Sequence, residues 1–205
     1  MKEARLREVL PEVWTWPWFS ERHGYDFNGY LVEHASGNLA IDPVEMSEPI
    51  LEQIAARGVA RILITNRNHT RASRRLRDRT GARVALHPAD AAYAREQGAL
   101  VDDELAVGER VGPFTVVDAH GKSPGEIALH WPERRILVIG DACVGKPPGA
   151  CSLLSENVID DLAALRDSLR RLARELDVEV LLPGDGAPIL SGGRAALQSL
   201  VKTFA

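Results

Sequence analysis

The spacing of apolar positions changes several times along the chain, and each change marks a structural element. Between Trp14 and Asp42 short apolar runs alternate with turn residues, as in FNGYLVEH, SGN and LAIDP. Asn28-Gly29 and Ser36-Gly37-Asn38 tolerate positive backbone angles, which predicts turns there and paired strands over 30–33 and 39–41. Ser47 stands as a helix cap before the apolar-periodic run from Pro49 to Ile54, Gly58 closes that helix, and a strand follows at 62–64. A basic helix over 71–80 then ends at Gly81, a short strand lies at 84–86, and His87-Pro88-Ala89-Asp90 opens another helix that runs to Arg95.

From Val107 to Ile139 the pattern turns to strand. The runs FTVV, EIALHW and RILVIG are separated by turns at 121–125 and 132–134, which predicts a meander. Val158, Leu162, Leu165, Leu169, Leu172 and Leu176 then recur at three- and four-residue steps, the signature of one long amphipathic helix. A strand at 178–182 ends at Pro183-Gly184-Asp185-Gly186, and a helix over 194–202 closes the chain. Both halves run strands first and helices second, and no short-period repeat is present. This order predicts two sheets face to face with helices outside, a four-layer αββα sandwich of the α+β class, in one domain spanning 1–205.

Composition narrows this picture without changing it. At 205 residues, 45% apolar and 26% charged, the sequence is that of an ordinary globular protein. A net charge of -4 gives no reason to expect nucleic acid or an acidic membrane as partner. The start of the sequence lacks the apolar core of a secretion signal, and no apolar run approaches the ~20 residues that span a bilayer, so a cytoplasmic location is expected. Cys143 and Cys151 show no paired ligand spacing and read as buried or half-buried free thiols.

The residues that suggest chemistry all sit just past the end of a strand: Asn66 to Arg71, His120 to Lys122, Gly140-Asp141, and Gly184-Asp185-Gly186. Loops that converge on one rim are where a rigid scaffold holds polar groups in place. In order and spacing these pieces resemble the metallo-β-lactamase fold superfamily. NLAIDP resembles its early strand ending in aspartate, and ILITNRNHTRASRRLRDRTGARVALHPADAA its metal-loop strand, helix and following strand. GKSPGEIALH resembles its His-Thr-Pro-Gly segment, RILVIGDA its strand ending in Gly-Asp, and LLPGDG its terminal Pro-Gly-His-Gly.

The ligand positions implied by that resemblance are altered. Where the family has His-x-His-x-Asp-His, this chain has Asn66, Asn68, Thr70 and Arg71 at the ligand positions, with His69 between two of them. Lys122 stands for the histidine before Thr-Pro-Gly and Asp185 for the histidine of the last turn; Asp141 alone matches. Asparagine is a poor zinc ligand, and lysine and arginine do not coordinate at neutral pH. The expectation is therefore that no metal or other cofactor is needed. Lys122 and Arg71 would pair with Asp141 and Asp185 in an ion-pair cluster, and Asn66, Asn68 and Thr70 would complete the hydrogen bonds.

Besides an interaction protein that uses the tryptophan edge, two functions follow. One is a pseudo-enzyme or small-molecule binder whose ligand meets Asn66, Asn68, Thr70, Arg71, Lys122, Asp141 and Asp185. The other is a divergent hydrolase that uses Asp141, Lys122 or His69 as acid or base, either without metal or with a single Mn, Mg or Zn ion on Asp141, Asp185 and His69. Asp42 fits a turn-forming hydrogen bond as well as a site role, and Glu126 either joins Lys122 or faces outward. His120 lies two residues from Lys122 and is a further candidate for the rim; His87 reads as a helix cap, and His23, His34 and His130 as surface or strand residues. Asp102 and Asp103 read as solvated loop charges. The five arginines of 71–79 read as a solvated helix face rather than a phosphate-binding one. Trp14, Trp16 and Trp18 share one side of an extended segment, which suits core packing or the edge of a homodimer.

Overall fold

The computed structural model describes residues 5–204, which form two compact units, the first ending at Leu105 and the second beginning at Ala106. Two sheets and five α-helices make up the described chain, as the α+β class predicts.

The first unit carries a seven-stranded sheet in which strand order follows the sequence. β1 (Arg7–Leu10), β2 (Val13–Ser20), β3 (Tyr25–Val32) and β4 (Leu39–Ile41) pair antiparallel. From β4 onward the pairing is parallel, through β5 (Arg61–Ile64) and β6 (Arg83–Leu86) to β7 (Asp103–Glu104). A parallel step needs a crossover. α1 (Glu48–Arg57), α2 (Ser73–Thr80) and α3 (Pro88–Glu96) supply the three that are required.

Asn28-Gly29 is not a turn but the middle of β3, and packing explains why. Gly29 pairs with Trp16 across the sheet, and a Cβ at Gly29 would lie 2.5 Å from the Trp16 indole. The glycine therefore serves the close approach of a buried ring, whose N–H donates to the Val44 carbonyl at 3.2 Å. The reversal comes earlier, at 21–24, where Gly24 has φ 72°. Ser47 holds the N-cap position of α1 without a side-chain hydrogen bond. α2 begins at Ser73, later than the pattern suggests, and Gly81 closes it in the left-handed region.

The arginines of α2 are largely committed to this unit. Arg74 donates to the Gly98 carbonyl, Arg75 pairs with Glu48, and Arg77 grips Asp102 through Nε and Nη2 at 2.9 and 2.8 Å. Asp102 also accepts the Val84 N–H at 2.9 Å, and Asp103 pairs with Arg83. These two aspartates fasten the loop after α3 to the sheet; they are not solvated loop charges.

The second unit has a five-stranded sheet. β8 (Arg110–Val111), β9 (Phe114–Asp118), β10 (Ile127–Trp131) and β11 (Ile136–Gly140) form the expected meander. α4 (Leu162–Glu175) then crosses over so that β12 (Val180–Pro183) lies parallel to β11, and α5 (Gly193–Val201) follows. Leu165, Leu169 and Leu172 of α4 are buried, as the periodicity predicts. The helix is shorter than its pattern: Asp161 caps it by accepting the Ala164 N–H at 2.9 Å, and Val158 lies outside it and is exposed. Among the described residues no helix is long and apolar enough to cross a membrane.

Candidate active site

In the second unit three loops meet at one edge of the sheet for a topological reason. β11 and β12 are parallel, so Asp141 and Asp185, just beyond their ends, come out on the same side. β10 is antiparallel to β11, so its beginning, with Glu126 and the loop of Lys122 before it, joins the same edge. Carboxylate oxygens of Asp141 and Asp185 lie within 4.8 Å of each other, and both residues are 5% exposed. The Lys122 ammonium is 3.2 Å from Asp141 Oδ2. Glu126, also buried, accepts the backbone N–H of Asp141 at 2.7 Å. It is thus part of this cluster and not an outward strand residue.

Glycines allow this edge to be built. Gly121, at φ 134°, lies against the first turn of α4, where a Cβ would come within 2.2 Å of the Leu165 nitrogen. The Gly121 and Lys122 carbonyls accept from Asp161 and Asp160 at 2.8 and 3.3 Å, which fixes the backbone that presents Lys122. Gly145 donates its N–H to the Asp185 carbonyl at 2.9 Å, and a Cβ there would lie 2.0 Å from the Ala187 oxygen. The sequence motif marks the Asp185 turn but not the segment that braces it.

His120 is not at this edge. Its ring turns back to Asp118, at 2.8 Å, and is about half exposed. Burial alone would raise the Asp118 pKa, but hydrogen bonds from His120 and Arg171 outweigh it and leave the carboxyl below its ordinary value. Burial lowers the pKa of His130 within β10, as suits a strand histidine.

In the first unit the loop after β5 is held by Asp42. The parallel register of β4 and β5 sets Asp42 beside Thr65. Asp42 accepts the Thr65 N–H at 2.8 Å and hydroxyl at 2.6 Å, and its Oδ2 is 2.9 Å from His69 Nδ1. Asp42, Thr65 and His69 are all fully buried. The carboxylate fixes the plane of the imidazole and reserves Nδ1, an outer-sphere arrangement that orients a histidine for work through Nε2. Asp42 is therefore an orienting residue, although its sequence fitted a turn equally well. Its φ of 48° adds a backbone strain that these three contacts offset.

Further contacts order the rest of the loop. Buried Asn66 accepts the Asn68 N–H at 2.9 Å, while Asn68 itself is exposed. Thr70 is half-buried and accepts the Ser73 N–H through its carbonyl at 2.8 Å. The Arg71 guanidinium lies 4.1 Å above the Phe27 ring, within an aromatic group that includes Trp18, His23 and Tyr25. Arg67 lies over Tyr93 at 4.4 Å, and its N–H reaches buried Asp90. His87 caps α3, accepting from Ala89 at 3.3 Å.

The second unit thus carries buried carboxylates at a strand-end edge, and the first a loop whose histidine is held by a carboxylate. Residues 6–204 match the family profile of the Metallo-beta-lactamase superfamily, and the chain belongs to that superfamily. It is 32% identical over 171 residues to a hydroxyacylglutathione hydrolase of Cereibacter sphaeroides, an alignment covering 79% of this chain and 61% of that protein. A second hydroxyacylglutathione hydrolase, from Fuscovulum blasticum, is 29% identical over 158 residues, covering 73% and 59%. The chain thus spans about three fifths of the length of these relatives. Among solved structures, a metallo-beta-lactamase from Pontibacter korlensis superposes with a TM-score of 0.80 at 19% identity, covering 98% of this chain and all of that one. TTHA1623 in a di-iron-bound form gives 0.68 at 27% identity, covering 88% and 96%.

These findings overturn the expectation that no cofactor is needed. The superfamily is a metallo-family, and TTHA1623, more than a quarter identical, carries two irons. The residues of this chain fit part of such a centre. Asp141 and Asp185 are hard, buried oxygen donors side by side, which suits one divalent ion.

Proposed function

We propose that this chain is a hydrolase that acts on small acyl thioesters with a single divalent cation of the Mn or Mg kind on Asp141 and Asp185. The observation that carries the proposal is the pair itself: two buried carboxylates brought together by the parallel register of β11 and β12. Buried Glu126 stands beside them, and the Lys122 ammonium pairs with Asp141. Buried carboxylate oxygens this close together suit a hard divalent ion. When bound, such an ion supplies polarisation of a carbonyl and acidification of a water.

The chain's own groups have separate tasks. Lys122 sets a fixed positive charge beside Asp141, where it can meet negative charge developing on a carbonyl oxygen. Glu126 holds the Asp141 backbone, and Gly145 braces the turn of Asp185. In the other unit, Asp42 keeps the His69 ring in one orientation, as an acid–base group or ligand requires. The relatives suggest the substrate class, thioesters of glutathione with a hydroxyacyl group. Two free thiols fit a reducing compartment such as the cytoplasm. Nucleic acid is an unsuitable partner because the α2 arginines are largely engaged within the unit.

A second reading, a binder that has lost turnover, is favoured by the loop residues Asn66, Asn68, Thr70 and Arg71. The two readings separate in one assay. The protein, purified without a metal-affinity tag and supplied with Mn or Mg, is given a hydroxyacyl thioester of glutathione and the released thiol is measured. Release that is lost in Asp141→Asn supports the hydrolase; saturable binding without release supports the binder.

A further inference from the structure

Cys143 and Cys151 take no part in the proposed chemistry, yet they are placed as a pair. Val144 and Ser152 exchange both backbone hydrogen bonds, at 2.9 and 3.0 Å, as an antiparallel bridge. In that register residues 143 and 151 lie on one face of the two-stranded ribbon as diagonal neighbours. The two side chains belong to the same packed cluster. Cys143 is fully enclosed. Cys151 instead lines a groove of about 360 Å³ with Leu153, Arg166, Leu200, Thr203 and Phe204. Cys151 is thus the member of the pair at the groove wall, and Cys143 is enclosed beside it.

We propose that Cys143 and Cys151 form a dithiol–disulfide couple, oxidised by small hydroperoxides that reach Cys151 through this groove. The Cys151 sulfur attacks the outer peroxide oxygen, the O–O bond breaks, and Cys151 becomes a sulfenic acid as the peroxide leaves as alcohol or water. The Cys143 sulfur then attacks the Cys151 sulfur, the S–O bond breaks and water leaves with the remaining thiol proton. Two electrons pass from two thiols to one peroxide.

The architecture suits closure of this bond. The connection between the cysteines passes through 146–149, which are exposed and can adjust as the sulfurs approach the ~2.05 Å of a disulfide. The bond would form on the segment that leaves Asp141 and continues to Gly145, the brace of the Asp185 turn.

The test uses the intact chain treated with a small excess of hydrogen peroxide or cumene hydroperoxide, followed by alkylation under denaturing conditions, intact mass measurement and fragment mapping. The expected result is a loss of about 2 Da with both thiols protected and a Cys143–Cys151 link, all reversed by dithiothreitol. Cys143→Ser should stop at a dimedone-reactive sulfenic acid on Cys151, while Cys151→Ser should leave Cys143 alkylatable. Two free thiols in the wild type after treatment would overturn the proposal. So would an intermolecular disulfide, or direct conversion of Cys151 to sulfinic acid.

Discussion

Lys122 Nζ lies 3.2 Å from Asp141 Oδ2, and each side chain is 6% exposed. A buried pair of this kind is costly to break because the remaining charge is left in a poor solvent. Lys122→Met should destabilise the metal-free protein by about 3 kcal/mol, which lowers the melting temperature by roughly 6–12 °C for a chain of this size. The same change removes a positive charge beside the acidic pair, so added Mn should restore more stability to the variant than to the wild type. Thermal melts with chelator and with Mn check both parts.

Asp42 holds three donors at once: the Thr65 amide, the Thr65 hydroxyl and the His69 ring. Asn in its place keeps the shape but presents an NH2 group to one of them. Asp42→Asn should cost about 2–4 kcal/mol in chemical denaturation, since hydrogen bonds to a buried charged group are the stronger kind. It should also release the His69 ring, seen as a changed ring signal in NMR, whereas a role for Asp42 confined to its turn would leave that signal unmoved.

Gly29→Ala should be destabilising although alanine is the smallest change available. Its Cβ would lie 2.5 Å from the Trp16 ring, which is fully buried. Overpacking of this sort costs about 1–3 kcal/mol. The displaced indole should report it through a shift in tryptophan emission together with a lower melting temperature.

The grip of Arg77 on Asp102 sets an acid limit. The side-chain hydrogen bond from Arg77, and then the amide of Val84, hold the Asp102 carboxyl well below the usual carboxylate range. Because the folded pKa is the lower one, the stabilisation is complete above the unfolded value of about 3.9 and fades as pH falls through the folded value. The stability gap between wild type and Asp102→Asn should be constant from about pH 5 upward and shrink below about pH 4. Denaturation curves at pH 3, 4, 5 and 7 decide this, and a gap that widens in acid would contradict it.

Much of the architecture was legible in the sequence, because period and turn chemistry agree in the meander from Phe114 to Gly140 and in the leucines of α4. Asn28-Gly29 misled because a dipeptide that suits a hairpin turn also suits the flat patch beneath a tryptophan, and only the cross-strand partner distinguishes them. Val158 continued the leucine spacing, but Asp161 caps the helix after it, and a cap outweighs one more apolar position. At the site, the residues altered from the family pattern were readable one by one, as were Asp141 and Asp185. The consequence drawn from them, that no cofactor is needed, was not sound. Counting lost ligands says nothing about how close the remaining carboxylates stand, and that is set by the parallel pairing of β11 with β12. The roles of Asp42 and Glu126 are not legible in the sequence because both depend on partners more than ten residues away.

The central claim is one divalent cation on Asp141 and Asp185, and calorimetric titration of tag-free, chelator-treated protein with Mn tests it most directly. One equivalent of saturable binding in the wild type, lost in both Asp141→Asn and Asp185→Asn while each variant remains folded by circular dichroism, is the predicted result. Absence of binding at millimolar Mn, two equivalents, or binding that survives both substitutions would contradict it.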